Sequence, residues 1–228
     1  AALFACTGSN NTAVGSDALV ANTSASNNTA VGYQTLLDNT TGAQNTSVGF
    51  RSLYNNTTAN NNTAVGYQAG YSNTTGTGNT LIGEQSGYYN TTGSGNTALG
   101  ENAYAGGNTA TGSNNTAIGK DALIQNTTGG SSVAVGKGAL DANTTGTTNI
   151  AVGVNALGAN TTASDNVAVG HSALLVNTTG TRNVAVGYEA LDANTTASDN
   201  TAFGYNSLSA NTTGNALVAV GGLALDAN

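Results

Sequence analysis

His171 is the single histidine of this 228-residue chain, and Ser172 stands next to it. A serine–histidine relay needs a third group that orients the imidazole, together with an exposed nucleophile elbow. No residue is spaced to supply either, so we expect no enzyme and no catalytic residue. Acidic side chains recur instead: Asp141, Asp192 and Asp226 occupy one position of a repeating unit, and Asp165 and Asp199 another. Calcium gathers about six to eight oxygens around one ion, and the glycine-rich calcium-binding solenoid repeat is absent. These acids read as solvated positions that keep the chain soluble, so neither a metal site nor a cofactor is expected. Cys6 is the only cysteine, which excludes an internal disulfide.

Recognition has more material than catalysis. Tyr33, Tyr67, Tyr188 and Tyr205 share one variable position with Phe50, Lys120 and His171. Exposed tyrosine supplies large contact area at low entropic cost, so these four are the candidate surface contacts. Asn39, Asn73, Asn126, Asn143, Asn177, Asn194 and Asn211 all stand in Asn-x-Thr sequons and are candidate glycosylation sites. The same Asn-Thr-Thr segments read equally as a turn ladder, or as a threonine array that orders water on an ice-binding surface. Adjacent threonines in an extended segment point opposite ways, so each unit would offer only one to such an array. Arg51, Lys120, Lys137 and Arg182 are the only cations against a net charge of −7. That is too few to track a phosphate backbone, so nucleic acid is excluded as a partner. No apolar run nears the ~20 residues of a membrane-spanning helix. Leu3-Phe4-Ala5-Cys6 has the form of the end of a bacterial lipoprotein signal, although a degenerate first repeat explains it more simply. With no methionine, the chain is expected to be processed or to belong to a longer protein.

These residues are placed by one repeat. Glycine closes a Val-Gly-like pair at positions 15, 32, 49, 66, 83, 100, 119, 136, 153, 170, 187, 204 and 221. Eleven of the twelve steps are 17 residues, and the step from Gly100 to Gly119 is 19. The unit reads Asn-Thr-Ala-Val-Gly-x-x-Ala-Leu-x-x-Asn-Thr-Thr-Gly-x-x. Its β-branched segment alternates with a period of two, which predicts a short strand. Asn-Thr-Thr-Gly carries turn residues able to take positive φ. The fold class is therefore all-β: a parallel β-solenoid or β-roll of about thirteen 17-residue turns, without helix. Residues 1–228 form a single repeat domain, in which 107–112 is an irregular turn whose two extra residues bulge from the surface. Stacking in register puts Val on Val and Leu on Leu in a thin core. The opposite strand face, with Ala134, Ala151, Ala168 and Ala185, would then let a second copy approach closely. Both ends fall inside a repeat without a polar cap, and open solenoid ends expose unpaired backbone. Further protein or another copy is expected to cover them.

Ser132-Val133-Ala134-Val135-Gly136 followed by Ala139, and Asn166-Val167-Ala168-Val169-Gly170 followed by Ala173, resemble the head repeats of trimeric autotransporter adhesins. The Asn-Thr-Ala-Val-Gly-Tyr units are similar to fibre proteins of bacteria and phages that end in a self-cleaving chaperone domain. The resemblance covers all thirteen units, although the adhesin turn is shorter than 17 residues. It implies a left-handed β-roll with three chains wound together on a bacterial surface. The expected function is thus a non-catalytic extracellular fibre or adhesin-like segment, with an ice-binding solenoid as the alternative. Its expected partners are itself, as a homotrimer or an end-to-end filament, and host or cell-surface ligands.

Overall fold

A computed structural model describes residues 6–226 of the chain. Of the Leu3–Cys6 segment, residues 3–5 lie outside the described residues. The fold is all-β: thirteen three-residue parallel strands, one per repeat, and no helix among the described residues. The chain divides into two compact units at residues 114 and 115. Unit 1 holds β1 (Thr12–Val14), β2 (Thr29–Val31), β3 (Thr46–Val48), β4 (Thr63–Val65), β5 (Thr80–Ile82) and β6 (Thr97–Leu99). Unit 2 holds β7 (Thr116–Ile118), β8 (Val133–Val135), β9 (Ile150–Val152), β10 (Val167–Val169), β11 (Val184–Val186), β12 (Thr201–Phe203) and β13 (Val218–Val220). Within each unit every strand pairs with its sequence neighbour, residue on equivalent residue, as in Val167 on Val184 and Ala168 on Ala185.

The anchor glycines enforce this register. Their φ angles lie between 126° and 144°, a region that side chains rarely adopt. A Cβ on Gly153 would also run into the backbone carbonyl of Gly170 in the next turn. Two positions further on, and again at the leucine, the backbone turns through left-handed φ near 50°, as at Leu157 (52°) and Leu174 (53°). Leucine in that region costs roughly 1 kcal/mol, and here its side chain is wholly buried.

The core differs from the sequence expectation in one respect. The leucines point inward as predicted, but so does the alanine column: Ala134, Ala151, Ala168 and Ala185 are fully buried inside their own turns. The valines before the anchor glycines face outward instead. A narrow turn already holds a leucine and two asparagines, and it leaves room for only a methyl group on the inner strand face. β5 tests that explanation. There Leu81 replaces the alanine, and the leucine position is glycine in its own turn (Gly87) and the one before it (Gly70). A Cβ on Gly70 would lie 2.8 Å from Leu81 Cδ1 and 2.9 Å from Leu53 Cδ2, so Leu81 fills the space that both glycines leave.

Two columns of buried asparagine complete each turn. In a typical turn, Asn28 and Asn39 both donate through Nδ2 to the carbonyl of Gly42, each at 2.9 Å. Asn28 Oδ1 then accepts the backbone N–H of Asn45 in the next turn at 2.9 Å. Asn56 Nδ2 likewise donates to Asn39 Oδ1 at 2.8 Å. The threonine that follows donates its hydroxyl to the next threonine carbonyl, as Thr40 does to Thr57 at 3.1 Å. At the irregular turn the second asparagine is missing, and Tyr104 stands at the leucine position. Its buried hydroxyl donates to the Gly112 carbonyl at 2.6 Å, in the place of the absent amide. Pairing resumes at Ala110, whose carbonyl accepts from Thr91 N at 2.8 Å, while Asn108 and Thr109 stand out in solvent.

The Leu81 exchange generates a prediction. Leu81→Ala leaves a cavity that neither neighbouring glycine can fill, at about 3–5 kcal/mol of stability. Adding Gly70→Leu and Gly87→Leu restores the leucine–alanine pattern of the other turns and recovers most of that loss, a strong coupling in urea denaturation. Additive effects of the substitutions would contradict this packing account.

Candidate interaction surface

A parallel stack repeats each outward side chain at one strand spacing, about 4.8 Å. An isolated aromatic residue therefore becomes a ladder when its neighbours above and below are aromatic too. Of the sequence candidates, Tyr33 and Tyr67 belong to one such ladder through Phe50, with centroids 5.4 and 5.3 Å apart. Tyr188 and Tyr205 belong to another that starts at His171, with separations of 5.2 and 5.5 Å. All four tyrosines are exposed. His171 is the first ring of this stack.

Sequence reading missed a third ladder. Tyr54, Tyr71 and Tyr88 stack at 5.0 and 5.1 Å four positions after the first, and Tyr89 packs edge-on against Tyr88 at 4.6 Å. The signal was present, since the residue after the leucine position is tyrosine in three successive units. Arg51 joins the two ladders of unit 1. Its guanidinium carbon is 5.2 Å from the Phe50 centroid and 5.5 Å from that of Tyr54, while Nε donates to Gln34 Oε1 at 2.9 Å. Burial and the neighbouring Tyr71 push the Tyr88 hydroxyl above its ordinary pKa.

The sequon asparagines occupy the buried ladder. Asn39, Asn73, Asn126, Asn143, Asn177, Asn194 and Asn211 are all buried, and each donates Nδ2 to the carbonyl three residues on. A glycan is carried on that nitrogen, so glycosylation would pull the amide out of the core. In the folded chain all seven amide nitrogens are committed to these buried hydrogen bonds.

The acidic columns have local explanations. Arg182 meets Asp199 with two parallel contacts, Nε to Oδ1 at 2.7 Å and Nη2 to Oδ2 at 2.9 Å, and lowers its pKa. Thr148 Oγ1 donates to Asp165 at 2.5 Å. Among the described residues no group of three or more histidine, cysteine, aspartate or glutamate side chains comes together to hold a metal. Asp141 sits in an open cleft of about 390 Å³ formed where Gly158 leaves a gap between it and Leu175, with Asn155 and Val176 on the walls. No family model, curated protein or solved structure matches the chain.

Burial raises the Asp141 and Asp192 carboxyls above their ordinary 3.8, with Glu189 adding to the effect at Asp192. The folded state thus binds protons there more tightly than the unfolded chain. These two groups lower stability at neutral pH, and their penalty disappears as pH falls through the raised values towards 3.8. Asp199 acts oppositely, because its stabilisation is lost below 3.8. Replacing Asp141 and Asp192 by Asn should raise the urea midpoint at about pH 7 and shrink the gain on acidification to about pH 4. A double variant no more stable than the parent at neutral pH would contradict this assignment.

Proposed function

We propose that this chain is a non-catalytic structural segment of an extracellular fibre or adhesin-like surface, and that copies of it associate through their outer strand faces. The observation that carries this reading is the outward aliphatic face of unit 2. In β8, β9, β10 and β11 both outer residues are Val or Ile, so the face is two adjoining columns of branched aliphatic side chains. Ile150 keeps 41% of its surface in solvent. A contiguous apolar patch on a sheet otherwise bounded by polar turns is what an association surface requires. The resemblance to adhesin head repeats supports three chains around one axis, with the valine faces turned inward and the alanines inside each chain's own turns. The scarcity of charge and the repetition of one unit suit a passive fibre.

A second reading has its own observation. In unit 1 the first residue of every strand is threonine: Thr12, Thr29, Thr46, Thr63, Thr80 and Thr97. This column, rather than the Asn-Thr-Thr turn, is the evenly spaced hydroxyl array that an ice-binding solenoid would present.

Solution mass separates the readings. The fibre reading predicts three chain masses in analytical ultracentrifugation, and conversion to folded monomer when Val135 and Val169 are replaced by Glu. Growth of ever larger species from the wild type would indicate a head-to-tail filament instead. A fully folded wild-type monomer at high concentration removes the association. Thermal hysteresis that is lost on Thr46→Tyr and Thr63→Tyr would transfer the function to ice binding.

A further inference from the structure

The two aromatic ladders of unit 1 leave a polar strip between them. Gln34, Arg51, Gln68 and Gln85 follow one another in consecutive turns at a single position. Arg51 Nε donates to Gln34, and Gln85 Nε2 donates to Gln68 Oε1 at 3.3 Å, so the strip is two hydrogen-bonded pairs of polar side chains, one after the other along the stack. Phe50 lies on one side of this strip and Tyr54 on the other, both within reach of the Arg51 guanidinium. Phe50 and its partners on the first side are exposed, while Tyr54, Tyr71 and Tyr88 are half-buried. The fold does not require this arrangement. In unit 2 the positions equivalent to the second ladder hold Ile124, Asp141, Gly158, Leu175, Asp192, Ser209 and Asp226 on the same repeating backbone.

We propose that this double-railed strip of unit 1 is a binding site for an extended, neutral glycan. A pyranose ring has an apolar C–H face and a rim of hydroxyl groups. The polarised C–H bonds are attracted to the negative faces of aromatic rings, and the hydroxyl oxygens to their positive edges. The hydroxyls both donate and accept, which matches side-chain amides that also do both. A repeating ligand suits a site that repeats every turn, since each additional sugar meets another ring and another amide. The one charged group at that position is Arg51, whose guanidinium is already engaged by Gln34 and by the Phe50 and Tyr54 rings, so the strip offers mainly neutral amides to a ligand. A proline-rich peptide also lies on aromatic rails, but its ring-lined sites read a backbone without free N–H groups. The outward hydrogen-bonding groups of the strip would be left largely unpaired beneath it. This proposal supplies a ligand class for the surface-segment reading, and its geometry stands on unit 1 alone.

The test is calorimetric titration of the purified chain with cellohexaose, xylohexaose, chitohexaose and laminarihexaose, with a ten-residue polyproline peptide alongside. At least one hexaose should bind, and Phe50→Ala should weaken it by about tenfold. Tyr71→Leu keeps apolar volume in the stack but removes the ring, and it should have a similar effect with an unchanged circular dichroism spectrum. Tyr205→Ala, on the single ladder of unit 2, should change binding less than about twofold. No hexaose binding up to about 10 mM overturns the proposal, as does hexaose binding that survives both Phe50→Ala and Tyr71→Leu. Polyproline binding that is lost in those two variants, with no hexaose binding, would reassign the strip to peptides. None of these outcomes bears on the solution mass, so failure of glycan binding and failure of the fibre reading are distinguishable.

Discussion

Each turn of this chain lies one strand spacing from the next, and the anchor glycines leave no room for it to lie anywhere else. From that constraint come the columns. A buried group in one turn must be satisfied by what stands directly above or below it, so asparagine lies on asparagine and threonine on threonine. The paired amides answer the two needs of a tight turn at once. They hold the carbonyl at the turn's corner, and they accept an N–H from the next turn that would otherwise be buried without a partner. Like charges stacked at the same spacing repel, which is a physical reason why charged residues make up only 7% of the sequence.

The exceptions show which parts of the pattern matter. Ser132 replaces one ladder asparagine. Its hydroxyl still accepts the N–H of Asn149 at 3.2 Å, but it is too short to span the turn and donates weakly to Gly130 at 3.4 Å instead. The Gly146 carbonyl of that turn is then held by Asn143 alone, at 3.1 Å. Tyr104 solves the opposite problem, reaching across the core to a carbonyl whose amide is missing. Below it, Asn90 Oδ1 is buried without a hydrogen-bond partner, the local cost of interrupting the ladder. The turns therefore tolerate a change of residue when another group reaches the same backbone atom.

Much of this architecture was legible in the sequence. The 17-residue spacing fixed the number of strands, their parallel pairing and their register, because Val-Gly pairs and Asn-Thr-Thr turns recur together. Which strand face turns inward was not legible from alternation alone. Both faces are apolar, and the usual assumption that the larger residues are buried put Val133 and Val135 on the wrong side. The deciding signal was local: Leu81 occurs at the alanine position in the stretch where Gly70 and Gly87 replace leucine. Reading the columns as volumes rather than as polarity would have found it. The burial of the sequon asparagines was not legible either, since a motif defined by three residues carries no information about burial. The exposed tyrosines were found because they share a column, whereas the second rail of Tyr54, Tyr71 and Tyr88 was hidden among unlike residues elsewhere in that column.

The account stands on the buried amide ladders, and side-chain amide exchange observes them directly. In two-dimensional NMR of the folded chain in D2O, the Nδ2 protons of Asn39, Asn56, Asn143 and Asn160 should persist far longer than those of the exposed Asn27 and Asn61. Protection of the first group with rapid loss of the second is the predicted result. Equally rapid exchange of all six, in a chain that remains β-structured, would contradict the ladder and with it the inward packing of every turn.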